Sequence, residues 1–215
     1  MSTIPAAPSA AAAAGAAAVL ALFAEQGSGD YVGEAVSQVQ HAEQCAAHAA
    51  AAGACEATVA GALLHDVGHM LGLRSPGAHE RMGECGTMHH ERVGAAWLAA
   101  LGLPPQATEV VRRHVDAKRY LCWRTPAYLH KLSPASRTTL GFQGGPMGAE
   151  EAARFEADPL GKTILLMRTW DEAAKDPSAR VPQLASYQGL LERLIEAELQ
   201  ARAAAAGAAG AAPPA

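Results

Sequence analysis

Paired cysteines are missing from this sequence. Cys45, Cys55, Cys85 and Cys122 are scattered over 215 residues, and no two of them form a C-x-x-C pair. That spacing excludes a zinc ribbon or a thioredoxin-like redox site. Scattered thiols without a framework fit a reducing, cytoplasmic setting. An excess of positive charge is also missing: 17 Lys and Arg stand against 21 Asp and Glu, a formal net charge of −4. With no long basic run, nothing in the chain would grip nucleic acid or an anionic membrane surface. No stretch of about 20 strongly apolar residues is present, so no membrane span is expected. The stretch from Ser2 to Leu22 lacks the charged start and strong apolar run of a secretory signal. Sustained β alternation and internal repeats are absent too.

What remains is an alanine-rich chain, half apolar, with its apolar residues mostly at helical spacing. That composition and period predict an all-α fold of packed helices. The expected helices cover about 16–26, 34–52, 56–71, 90–101, 105–119, 149–157, 160–175 and 187–204. Gly53 and Gly72 are placed to close the second and third. Pro104-Pro105 is placed to open the fifth. Low-complexity tails at 1–15 and 205–215 flank one domain, 16–204, and are expected to be disordered. Two stretches rich in Gly, Pro, Ser and Thr, 72–89 and 120–148, read as long loops.

Nine histidines lie within the first 130 residues, several inside apolar helices. A single buried histidine is usually a satisfied core residue; their arrangement says more. His65-Asp66-Val67-Gly68-His69 follows the apolar run Ala60–Leu64. On one helix, positions 65 and 69 share a face and Asp66 lies about 100° round from His65. Imidazole beside carboxylate suits divalent iron, manganese or zinc, and a carboxylate can bridge two metals. His41 and His114 sit in apolar helices, Lys118 one turn beyond His114. Asp171 ends an apolar run where a carboxylate needs a cationic partner. Periodicity leaves His89 and His90 equally open. His48 reads as core or surface, His79 and His130 as loop residues.

The order His41, His65-Asp66, a later histidine or two, then Asp171 is that of HD-domain proteins. The finer motifs are Tyr31-Val-Gly-Glu34, Gln38-x-x-His41, Leu64-His-Asp-Val-Gly-His69, His90-Glu-x-x-Gly-Ala95, His114-Val-x-Ala-Lys-Arg-Tyr120, Gln143-Gly-Gly145 and Arg168-x-Trp-Asp171. Together, over residues 31–175, they resemble the PhnZ-like mixed-valent diiron oxygenases, which cleave the carbon–phosphorus bond of 1-hydroxyphosphonates with O₂. The resemblance implies an HD-domain helical bundle and two irons, one Fe(II) and one Fe(III). It implies His41, His65, Asp66 and Asp171 on one iron, and Asp66, His90 and His114 on the other. By the same resemblance, His90 and not His89 is the ligand. His69, Lys118, Ser136, Thr139 and Arg168 would hold the phosphonate. Tyr31 and Glu34 would gate the site, with Glu34 near a substrate ammonium group.

Two other readings share parts of this pattern. A hydrolytic HD phosphohydrolase acting on a nucleotide or phosphate ester would use the same six nitrogen and oxygen donors. The Lys118-Arg-Tyr block and the Tyr31/Glu34 pair are surplus to such an enzyme. A sensing or structural HD module usually lacks a ligand, and none is missing here.

Overall fold

In the computed structural model, residues 7–31 and 33–210 are described. They form eleven α-helices: α1 (Ala10–Gln26), α2 (Gln38–Ala51), α3 (Glu56–Leu64), α4 (Val67–Arg74), α5 (His90–Ala100), α6 (Pro105–Arg124), α7 (Pro126–Lys131), α8 (Pro134–Phe142), α9 (Ala149–Ala157), α10 (Gly161–Ala173) and α11 (Gln188–Gly210). Among the described residues the only β pairings are two isolated bridges, Asp30 with Ser37 and Arg81 with Thr87. The architecture is all-α, as the composition predicts.

The core is arranged around α3, whose residues Ala57 through Leu64 are all buried. A helix apolar all round can only sit inside others. Here α2, α6 and α10 pack around it, α5 packs on α6 and α4, and α1 and α11 pair with each other. The Ser37 side chain and Gln40 close a reciprocal capping box that starts α2. Pro105 is the first residue of α6, as expected.

Several elements depart from the sequence expectation. The helix predicted over 56–71 is two helices, because Asp66 leaves helical geometry at φ −105°, ψ 8°. The second helix runs through Gly72 to Arg74. Gly72 is therefore no C-terminal stop; a Cβ there would come 2.1 Å from the Thr87 Oγ1 atom, so its smallness serves packing. Gly68 is tighter still: a Cβ would lie 1.9 Å from the backbone oxygen of His90. That close approach brings the start of α4 directly against the start of α5.

The helix predicted from residue 34 begins only at Gln38, and a turn closed by hydrogen bonds from Tyr31 N to Val36 O and Glu34 N to Tyr31 O precedes it. The stretch 120–148, read as loop, is mostly helical: α6 continues to Arg124, and α7 and α8 follow, each opened by a proline. His130 accordingly lies in α7 and not in a loop. At the ends, α1 begins at Ala10 and α11 reaches Gly210, both inside stretches read as disordered tails; residues 1–6 and 211–215 lie outside the described residues.

Candidate metal centre and anion pocket

The break at Asp66 organises the site. His65 ends α3, Asp66 stands between α3 and α4, His41 comes from α2, His90 from the first turn of α5, His114 from α6 and Asp171 from α10. All six are largely buried, with His41 and His65 at 1% exposure. The two Asp66 oxygens face different partners. Oδ2 lies 3.2 Å from His65 Nε2 and 3.9 Å from His41 Nε2. Oδ1 lies 3.4 Å from both His90 Nε2 and His114 Nε2. Asp171 Oδ1 joins the first group, 3.5 Å from His41 Nε2. Within each group the imidazoles nearly touch: His41 and His65 Nε2 are 3.3 Å apart, His90 and His114 Nε2 3.1 Å.

Three tautomers are fixed by the backbone. The Nδ1–H of His41 donates to Ala174 O at 2.9 Å, that of His65 to Ala62 O at 2.9 Å, and that of His114 to Val111 O at 2.8 Å. Each leaves an Nε2 lone pair aimed into the cluster, as metal-ligating histidines are held. Converging lone pairs a little over 3 Å apart have no proton donor to satisfy them all, and a cation between them does so. The donor set therefore fits two metal ions that share Asp66. His89, by contrast, is more than half exposed and takes no part. His48 and His130 are exposed and His79 lies outside the cluster.

Electrostatics agree with a site built for positive charge. Burial disfavours the Asp66 carboxylate, but His65, with hydrogen bonds from His114, His65 and His90, holds its pKa well below the usual range. Burial is likewise outweighed at Asp171, chiefly by Arg168 and then by His41 and His65. Burial and the neighbouring His65 pull His41 down to about 4. At His65 burial is overcome by Asp66 and Asp171, which push it up to about 9. Without a metal, a proton on His65 and the guanidinium of Arg168 are positive charges beside the two carboxylates.

Beside this cluster is a cavity lined by Tyr31, Glu34, His69, Lys118, Ser136, Thr139 and Arg168, together with Asp66, His90, His114 and Asp171. All the residues expected to hold or gate a substrate line this one cavity. Lys118 Nζ donates to Thr139 Oγ1 at 2.7 Å and to Ser136 O at 3.2 Å. Burial and the charge of Arg168 lower Lys118 to about 8. His69 accepts the Thr87 N–H on Nδ1 at 3.0 Å, and burial, then His90, holds its pKa well below normal. It is therefore neutral with its proton on Nε2. Tyr31 stacks on His41 with ring centroids 3.8 Å apart, and its hydroxyl lies 3.4 Å from Asp171 Oδ1. Tyr31 and Glu34 reach the cavity from a turn and not from the helix start that the sequence suggested.

Three residues, and a second role of Arg168, escape the sequence reading. Arg168 spends one Nη1 on Asp171 Oδ2 at 2.5 Å, so it supports a metal-facing carboxylate as well as the anion wall. Cys45, one turn after His41, puts its sulfur 3.6 Å from His41 Nε2, beside a group expected to be free of sulfur; burial raises its pKa well above the ordinary thiol value. Glu91 is buried with its Oε2 unpartnered, 3.7 Å from the equally unpartnered Nδ1 of His90. Lys175 lines the cavity and pairs with Glu34. The Glu91 signal lay in the His90-Glu91 dipeptide. Cys45, four residues after His41, and Arg168, three before Asp171, are local helical spacings; the role of Lys175 depends on long-range packing.

No family model matches the chain. It is 38% identical over 180 residues to 1-hydroxy-2-(trimethylamino)ethylphosphonate dioxygenase (glycine-betaine-forming) of Leisingera caerulea, covering 84% of this chain and 90% of that protein. It is 38% identical over 163 residues to hydroxymethylphosphonate dioxygenase of Gimesia maris, covering 76% and 80%. It is also 34% identical over 173 residues to an uncharacterized protein of Acanthamoeba polyphaga mimivirus, covering 80% and 78%.

The raised His65 sets a pH dependence for metal uptake. A metal must displace the proton that His65 holds below about pH 9. Affinity of the metal-free protein for Fe(II) or Zn(II) should therefore rise about tenfold per pH unit between pH 6.5 and 8.5 through this group. Competition titrations against a chelator measure it, and a flat profile would contradict the assignment.

Proposed function

We propose that this chain, which belongs to the family of PhnZ-like phosphonate dioxygenases, uses O₂ to cleave the C–P bond of a 1-hydroxy-2-aminoethylphosphonate-type substrate or its N-trimethyl analogue, releasing phosphate and glycine or glycine betaine. The family membership rests on the two named dioxygenases, each aligned over more than three-quarters of this chain. The observation that carries the reading is a double one in a single cavity: a divided carboxylate, Asp66, beside a wall of cationic and hydroxyl donors.

In this reading two irons would be held by His41, His65, Asp66 and Asp171 on one side, and by Asp66, His90 and His114 on the other. When bound, they supply the O₂ binding and one-electron chemistry that no side chain here can supply. The residues of the chain do the rest. Lys118 meets the phosphonate as an ammonium, with Thr139 and Ser136 of α8 beside it. His69 adds a neutral N–H donor, and Arg168 a guanidinium shared with Asp171. Tyr31, stacked over His41, shields the centre until a substrate arrives. Glu34 faces the ammonium end of the substrate. The overall reaction needs no outside reductant: the hydroxyphosphonate plus O₂ equals the carboxylate plus phosphate, with C1 oxidised and O₂ reduced. Four unpaired cysteines favour a cytoplasmic setting for it.

Iron-loaded protein should release phosphate from 1-hydroxy-2-aminoethylphosphonate in air and none under strict anaerobiosis. Equal release without O₂ would instead identify a hydrolytic HD enzyme. A second expectation separates the two cations of the anion wall. Lys118→Ala should raise KM roughly 10- to 100-fold, the worth of a charged hydrogen bond, while metal content stays at the parent level. Arg168→Ala should lower both affinity and metal content, since Asp171 loses its partner. Metal analysis alongside kinetics distinguishes them, and identical behaviour of the two variants would refute the division of labour.

A further inference from the structure

We propose that Lys175 sets the substrate preference of this pocket by holding Glu34, so that a cationic group on the substrate must displace it. The inference rests on the phosphonate reading above and deepens it. Lys175 Nζ contacts Glu34 Oε1 across 141 residues of sequence, and both side chains line the cavity. The pair is three-quarters or more buried, with side-chain exposures of 25% and 19%. At that depth an ion pair is screened less than one at the surface.

The base of Lys175 is fixed. The preceding residue, Ala174, accepts the His41 Nδ1–H. The following residue, Asp176, exchanges backbone hydrogen bonds with the Gln44 side chain at 3.0 and 3.1 Å. Both tie the chain after α10 to α2. From that anchored backbone the flexible lysine stem reaches the turn that carries Tyr31 and Glu34. Among the described lining residues, the other two cations are committed differently: Arg168 pairs with Asp171, whereas Lys118 donates to uncharged oxygens only. Lys118 thus keeps its charge for an anion, and the charges of Glu34 and Lys175 cancel.

The two ends of the pocket consequently ask different things of a ligand. A phosphonate meets an uncompensated ammonium. A substituent on the carbon chain meets a carboxylate already neutralised. Hydroxymethylphosphonate, which has no such substituent, leaves the pair intact. A primary ammonium can replace Lys175 on Glu34, but only by breaking an ion pair of the same chemistry. A trimethylammonium group has no N–H and makes a weaker substitute. Specificity of this kind comes from a competitor built into the site. A purely structural Lys175 would act through the C-terminal end of α10, where a cation is favoured in any case, and would not discriminate between substrates.

The test compares kcat/KM for 1-hydroxy-2-aminoethylphosphonate and hydroxymethylphosphonate, by phosphate release from iron-loaded protein in air. In Lys175→Met the ratio of amino to hydroxymethyl substrate should rise about tenfold. Lys175→Gln, which keeps a polar head should the methionine variant fold poorly, should raise it in the same direction. Lys175→Arg should keep the parent ratio, and Lys175→Met should raise nothing in a Glu34→Gln background. A ratio that stays put or falls in both neutral variants overturns the role of Lys175 while leaving the phosphonate reading intact. Absence of phosphate release from both compounds and from the N-trimethyl analogue, in parent and variants alike, overturns the phosphonate reading itself and this inference with it.

Discussion

Asp66 occupies the break between two helices, and its two oxygens face two separate sets of imidazoles. Burying a carboxylate costs several kcal/mol unless positive charge meets it. Here four histidines surround it, and at His65 burial is overcome by Asp66 and Asp171, which push it up to about 9. The donor set around it fits two metal ions, which would add positive charge there. Much else follows from that requirement. The α3–α4 break turns the carboxylate away from the direction a continuous helix would give it. Gly68 lets α4 approach the His90 backbone, so that His90 and His114 reach the second oxygen. Free energy of metal binding is then also free energy of folding, because the site exists only when five helices are in place.

The imidazoles are held from behind by the ends of the helices that carry or contact them. His65 and His114 each donate to a carbonyl one turn earlier, and His41 donates to Ala174, just past the end of α10. That last bond links the first metal-facing group to the segment bearing Lys175. Arg168 makes a similar link in the other direction, joining Asp171 to the anion wall. The candidate metal cluster and the cavity beside it are therefore joined by hydrogen bonds.

The helical character of the chain and the members of the cluster were legible in the sequence because both rest on local signals. Apolar residues at helical spacing mark α2, α3, α6 and α10, and the His65-Asp66 pair sits at the end of the most apolar of them. The choice of His90 over His89 was not legible from periodicity; it came from family resemblance, and the structure puts His90 in the cluster and His89 at the surface. Less legible were the places where tertiary demands override local preference. The helix break at Asp66 sits in a sequence that would propagate a helix. The short helices α7 and α8 were hidden by polar composition, although each opens on a first-turn proline, Pro126 and Pro134, and Ser133 caps the second. The Glu34–Lys175 pair could not be read at all, since nothing in sequence joins residues 141 apart.

The central claim is that one carboxylate couples two metals. Metal analysis with Mössbauer spectroscopy on iron-loaded parent protein and Asp66→Ala tests it most directly. The account predicts two magnetically coupled irons per chain in the parent, and in Asp66→Ala loss of the coupling together with loss of O₂-dependent phosphate release. An Asp66→Ala protein that keeps two coupled irons and turns over at the parent rate would contradict it.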